Sequence, residues 1–119
     1  MPTEFAARVF ALVDGTDAVG FSRLFALQGR MRFGNAAPMT GPEEIAAGIG
    51  AFFGTIKGLR HNVVREWYTG ADAIVEETVD YFLLTGDTVT VPAVTMWHVD
   101  ETGLIDDFRV YVDLAPLSA

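Results

Sequence analysis

The spacing of apolar residues changes once along this chain, near Leu59, from a helical period to a strand period. Residues 3 to 13 place Phe5, Val9, Phe10 and Val13 on one helical face, and Asp14-Gly15 supplies the stop, which predicts a surface helix covering something else. Asp17 can cap a short second helix that carries Phe21, Leu24 and Phe25. Gln28 to Asn35 alternates loosely and reads as a short strand. After the loop Ala36 to Gly41 comes the strongest helical signal. Pro42 stands at the first position and Glu43 and Glu44 in the first turn, where the helix dipole favours carboxylates; Ile45, Ile49, Phe52, Phe53 and Ile56 form the stripe, with Gly58 as the end.

From Leu59 the period is two, which predicts strands over 59–69, 72–84, 88–99 and 104–114, with turns at Gly70-Ala71, Thr85-Gly86-Asp87 and Asp100 to Gly103. These strands are long and apolar on both faces, so each face needs cover. The upstream helices can cover one. The expected architecture is therefore α+β, a single domain over residues 1–119, with N-terminal helices packed on a curved antiparallel sheet in a cone that encloses a pocket.

The turn lengths set an expected register. A two-residue turn at Gly70-Ala71 puts His61 opposite Asp80, Val63 opposite Thr78 and Arg65 opposite Glu76. Centring the next hairpin on Gly86 puts Asp80 opposite Pro92, Thr78 opposite Val94 and Glu76 opposite Met96. The pocket face then carries Leu59, His61, Val63, Thr78, Asp80, Phe82, Pro92, Val94, Met96, Phe108, Val110 and Val112. Val79, Tyr81, Thr95, Trp97, Arg109, Tyr111 and Asp113 are left on the reverse. Pro92, which cannot donate to the ladder, is a candidate bulge.

Half of the residues are hydrophobic, a surplus that points to a ligand cavity, a subunit interface, or both. The reverse face is expected to be a homodimer surface. The formal charge of −8, with eight Lys and Arg scattered along the chain, argues against nucleic acid as a partner. There is no stretch of the roughly 20 uncharged residues that a membrane span needs, and Glu4 and Arg8 break up the start of the chain where a signal peptide would be apolar. A cytoplasmic location is expected. Without cysteine there is no disulfide or thiolate chemistry, and no HExxH, GxxxxGK[ST] or GxGxxG occurs, so no metal and no cofactor is expected.

Asp80 stands out as a carboxylate on an otherwise apolar face, where desolvation would raise its proton affinity and suit it to acid or base work. Its structural alternative is a strand-end carboxylate in water or paired with His61. His61 could orient Asp80, share its proton, act as the base, or serve only as a structural donor. Asn35 either offers an amide to a ligand oxygen or is an ordinary turn residue. Phe33, Phe53, Met96 and Phe108, with Val94, Val110 and Thr78, are expected to form the pocket wall. Trp67 is core or wall, and His98 carries the weakest signal.

Gly41-Pro42-Glu43-Glu44-Ile45 opening a long amphipathic helix, followed by a meander closing in Arg109-Val110-Tyr111-Val112-Asp113, resembles the SnoaL-like members of the nuclear transport factor 2-like superfamily. The resemblance spans the whole chain. It implies a cone-shaped α+β fold, dimerisation through the outer sheet face, and relatives that include ketosteroid isomerases, polyketide cyclases, limonene epoxide hydrolases and non-enzymatic proteins. The hydrolases' Tyr-x-Asn, Arg-x-Asp and last-strand Asp fall at Phe33-Gly34-Asn35, Thr78-Val79-Asp80 and Val110, so two of five groups are kept. The first helix offers Phe5 and Phe10 where an isomerase tyrosine would stand. The resulting expectation is a protein that binds a small apolar molecule, acting as an isomerase or cyclase by proton transfer next to a carbonyl, with Asp80 as base, His61 tuning it and Asn35 on a substrate oxygen. The alternatives are a non-catalytic ligand-binding or dimerisation module, and an epoxide hydrolase with an altered network.

Overall fold

The computed structural model describes residues 4–118. Three helices, α1 (Glu4–Asp14), α2 (Ala18–Ser22) and α3 (Gly41–Phe53), lie on a six-stranded sheet formed by β1 (Phe25–Phe33), β2 (Met39–Thr40), β3 (Ile56–Thr69), β4 (Asp72–Leu83), β5 (Thr88–Val99) and β6 (Ile105–Val112). The strand order is β2-β1-β6-β5-β4-β3, antiparallel throughout except that β1 runs parallel to β6. The expected α+β architecture is present, with the helices on one face of a mixed sheet. Thr3, the first residue of the predicted first helix, lies outside the described residues.

Element boundaries differ from the sequence reading at several points: the first strand starts and ends earlier than expected, the short β2 lies in the expected loop 36–41, and two of the helix ends have a local cause. Leu24 and Phe25 belong to a turn and to β1 because Arg23 caps α2 after a single turn, with its backbone N–H bonded to Val19 O. The third helix ends at Gly54, whose N–H closes on Gly50 O, so Ile56 and Gly58 are already in β3. At its start, Gly41 has φ +85° and a Cβ there would sit 3.0 Å from Leu27 O, so glycine makes the entry into α3 possible.

The core fills the space between the helices and the inner sheet face. Val9, Phe21, Ile45, Ile49, Val75, Trp97, Ile105 and Phe108 are buried there, with Trp97 stacked on Phe108 at 5.8 Å between centroids. A second cluster around Ile56, Leu59, Val79, Tyr81 and Val91 continues toward the other end of the sheet.

The register holds the main correction. The Gly70-Ala71 turn pairs Thr69 with Asp72 and Arg65 with Glu76 as expected, but Val64 then has no partner and the register shifts between Val63 and Arg65. Beyond this bulge Val63 opposes Glu77, His61 opposes Val79 and Leu59 opposes Tyr81, whereas Asp80 opposes Arg60. One extra residue inverts which β4 side chains share a face with His61. The β4–β5 hairpin is centred one residue earlier than expected, on Thr85, closing with Leu83 N–H on Asp87 O, so Asp80 opposes Thr90, Thr78 opposes Pro92 and Glu76 opposes Val94, a shift of two that leaves the faces unchanged. Pro92 causes no bulge in that ladder.

The inner face of the sheet therefore carries Leu59, His61, Glu77, Val79, Tyr81, Thr95, Trp97, Phe108 and Val110, while Thr78, Asp80, Phe82, Pro92, Val94 and Met96 are on the outer face. Phe108 and Val110 stay inside because Trp97 and Thr95 are their partners on β5. The bulge can be tested directly. Val64 is more than half exposed, so Val64→Ala should change stability by no more than about 0.5 kcal/mol. Deleting Val64 should cost several times that, because Leu59 and His61 would turn outward; urea unfolding of the two variants measures the contrast.

Candidate functional site

The inner face and the helices enclose a cavity lined by Val9, Phe10 and Val13 from α1, Phe21 from α2, and Ile49, Phe52 and Phe53 near the end of α3. The sheet contributes Met31, Phe33, Leu59, Val79, Phe108 and Val110, and polar atoms come from His61, Tyr81 and Thr95. About 40 Å³ is open to the centre of a water-sized sphere, enough for more than one water, so a larger occupant needs the lining side chains to move.

His61 is fixed from two sides. β3 is an edge strand, so the outward N–H of His61 needs a partner, and the Asp14 carboxylate at the end of α1 accepts it at 3.0 Å. The same carboxylate is 2.6 Å from Nδ1, which makes Nδ1 the protonated nitrogen of the neutral ring and leaves Nε2 with the lone pair. Phe10 packs on the ring at 4.9 Å between centroids. His61 is thus an oriented imidazole in an apolar enclosure, held as a base is held by its carboxylate.

Glu77 and Thr95 continue from His61 along a diagonal across β3, β4 and β5. Glu77 is 1% exposed. Its Oε2 accepts from Thr95 Oγ1 at 2.7 Å, while Oε1 is buried without a partner, a state that costs about 1–3 kcal/mol and more when the carboxyl is ionised. Burial pushes the Glu77 carboxyl up to about 7, against the smaller opposing effects of the Thr95 bond and His61. Tyr81, also buried, has its hydroxyl pushed well above the usual tyrosine range by burial and by the nearby Glu77 and Asp14 charges, so it stays a hydrogen-bond donor.

Of the residues expected at the site, His61, Phe33, Phe53, Phe108 and Val110 line the cavity. Asp80, Thr78, Val94 and Met96 are on the opposite face of the sheet, as the bulge requires. Asp80 there accepts from Thr90 Oγ1 at 2.6 Å, Asn62 Nδ2 at 3.1 Å and Arg60 Nη2 at 3.0 Å, and these partners hold its carboxyl below the usual range, in that order of effect. The expectation of a raised proton affinity at Asp80 is therefore reversed. Asn35 is exposed in the turn after β1 and lines an outer groove that shares Phe33, Ile49 and Phe52 with the cavity. Asp14, Glu77, Tyr81 and Thr95 were not singled out from the sequence as site residues; the one available signal was Glu77 beside Glu76, two adjacent carboxylates in a strand, of which one must point inward.

Among the described residues no group of three or more His, Cys, Asp or Glu side chains could hold a metal ion, and no helix is long and apolar enough to cross a membrane. The family model of the SnoaL-like domain matches residues 6–108. The chain belongs to the SnoaL-like domain family. Among curated proteins none matches the sequence. Solved structures similar to this SnoaL-like domain include a hypothetical protein with a ketosteroid isomerase-like fold from Catenulispora acidiphila DSM 44928, in complex with trimethylamine, at 20% identity and TM-score 0.87 over 97% of this chain and 89% of that one. A candidate SnoaL-like polyketide cyclase from Jannaschia sp. CCS1 aligns at 19% identity and TM-score 0.75 over 94% and 87% of the two chains. An LEH-like epoxide hydrolase from M. tuberculosis aligns at 17% identity and TM-score 0.75 over 91% and 79%. At these identities the likeness is one of fold, the nuclear transport factor 2-like cone, with cyclase, isomerase and epoxide hydrolase types among its members.

The buried carboxyl gives a signed stability test. With an ordinary value of 4.5 and a folded value near 7, Glu77 binds its proton more tightly in the folded chain, so its contribution is full below about 4.5 and is lost as pH rises through 7. Wild type should lose roughly 2 kcal/mol relative to Glu77→Gln between about pH 5 and pH 8, measured from urea midpoints. An unchanged difference between the two proteins would mean that Glu77 titrates normally.

Proposed function

We propose that this SnoaL-like domain binds a compact, mostly apolar carbonyl compound in its cavity and moves a proton next to the carbonyl, as an isomerase or cyclase does, with His61 as the base. The observation that carries this reading is the Asp14–His61 pair, a 2.6 Å contact that sets the tautomer of an imidazole lining a mostly apolar cavity. Nε2 takes a proton from the carbon beside the carbonyl, and Asp14 stabilises the imidazolium that forms. Tyr81, a donor at every physiological pH, stands ready to hydrogen-bond the enolate oxygen, the part that no first-helix tyrosine can play here. The apolar wall excludes water and strengthens both interactions.

Support for self-association comes from the outer face, where Trp67, Ile74, Met96 and Arg109 form one row across four strands and Arg65, Glu76, Val94 and Tyr111 the next. Trp67 and Tyr111 are about half exposed. We propose that a second copy covers this face. Val79, Tyr81, Thr95 and Trp97, expected there, are inside and play no part.

Conversion of cyclohex-3-enone to its conjugated isomer in D₂O, with deuterium uptake followed by NMR, tests the reaction class without a known substrate. His61→Gln should slow the reaction by about 10² to 10⁴, and Asp14→Asn should slow it less while leaving ketone binding in place. Binding with no conversion and no deuterium uptake would favour the ligand-binding module instead. For the second copy, sedimentation at micromolar concentration should give a dimer, and Trp67→Lys should shift it to monomer; a monomeric wild type would refute the interface.

A further inference from the structure

Glu77 has no duty in the reaction as derived, yet it is the most completely buried carboxyl among the described residues, and one of its oxygens has no partner. Its other oxygen is bonded to Thr95 Oγ1 at 2.7 Å, and Thr95 is a cavity-lining residue. A hydroxyl has one proton and two lone pairs, so what Thr95 presents to the cavity depends on what it gives to Glu77.

We propose that Glu77 and Thr95 form a reversible contact point for a ligand oxygen, which accepts a hydrogen bond when Glu77 is ionised and donates one when Glu77 is protonated. In the first state the Thr95 proton is directed at Oε2 and a Thr95 lone pair faces the cavity, which suits a ligand hydroxyl. In the second the carboxyl proton on Oε2 is donated to Oγ1, the hydroxyl turns, and the Thr95 proton faces the cavity, which suits a ligand carbonyl. One proton, taken from or given to solvent, distinguishes the two states; the Glu77–Thr95 hydrogen bond reverses and no other covalent bond changes. The inference deepens the reading of the cavity as a carbonyl-compound site and rests on it.

The surroundings permit both states. Ala93, the β5 partner of Glu77, is small, and Val63 on β3 and Val112 on β6 complete that row without a competing polar group. The titratable groups that act on Glu77 or lie near it are His61 from β3, Tyr81 on its own strand and, beyond His61, Asp14 at the end of α1. Burial brings the switching range close to neutrality. Glutamine would satisfy Thr95 equally well but carries no titrating proton to set which state holds at a given pH, which gives the carboxyl a reason to be there.

The test uses cyclohexanone and cyclohexanol, the same ring with the two oxygen types, bound to the whole protein and followed by NMR titration from about pH 5.5 to 8.5. In wild type the ratio of the two dissociation constants should move by about fivefold, favouring the ketone at low pH and the alcohol at high pH. The shift should vanish in Thr95→Val and in Glu77→Gln. A constant ratio in wild type with both rings bound would overturn the inference and leave the cavity reading standing. A shift that survives Glu77→Gln belongs to His61 and overturns it as well. Should Glu77→Gln fail to fold, wild type and Thr95→Val decide alone. If neither ring binds at any pH, the inference and the cavity reading fall together, whereas binding without turnover touches only the proposed reaction.

Discussion

An unpaired residue in an edge strand decides which chemistry this cone encloses. With Val64 bulged out of the β3–β4 ladder, Arg65 and the residues after it keep the register of the Gly70-Ala71 turn, while His61 and the residues before it are moved by one. The inner face then receives Glu77, Val79 and Tyr81 from β4 in place of Thr78, Asp80 and Phe82. A regular ladder would have brought the Asp80 carboxylate into the apolar interior, parted it from Arg60, and left the glutamate outside. The long meander, the helices that cover it and the pairing across β5 and β6 are all compatible with either result, so the bulge alone makes the selection.

Much of the fold was legible because it depends on periodicity and punctuation. The change of period near Leu59, the proline and two glutamates opening α3 and the glycine turns between strands each act over a few residues, and the structure follows them to within a few positions. The register was legible only as far as the first irregularity. Nothing in Asn62-Val63-Val64-Arg65 marks a bulge by composition, since it carries neither glycine nor proline. From there the faces of β4 and β5 were misassigned, and four of the expected site residues went with them. His61 stayed inside because it lies on the bulged strand itself, and Phe108 and Val110 because they were placed by their own apolar alternation. Asp14 could not be recognised at all: its role comes from the edge-strand N–H of a residue 47 positions away.

Membership of the SnoaL-like family explains why the cone exists and leaves open what it does. Across this fold the sheet and helices supply an enclosed apolar volume, and activity is decided by which few side chains break into it. Here those are His61, Tyr81 and Thr95 at the surface of the cavity, with Glu77 one layer behind. All four are held by the sheet, three of them on interior or doubly paired strands, so their relative positions are set by the ladder and not by mobile loops.

Asp80, displaced from the cavity, has a mechanical consequence where it stands. Its two oxygens take bonds from Arg60 and Asn62 on β3 and from Thr90 on β5, which fastens three neighbouring strands through a single point on the outer face. A sheet pinned in this way resists flattening and shear at the end where His61 and Tyr81 stand. The cavity must then change its volume from the other wall, where α1 and the end of α3 meet the sheet through side chains such as Phe10, Phe52 and Phe53. For the proposed ligand, entry would then fall to the aromatic rings and helices of that wall, over a stiffer floor.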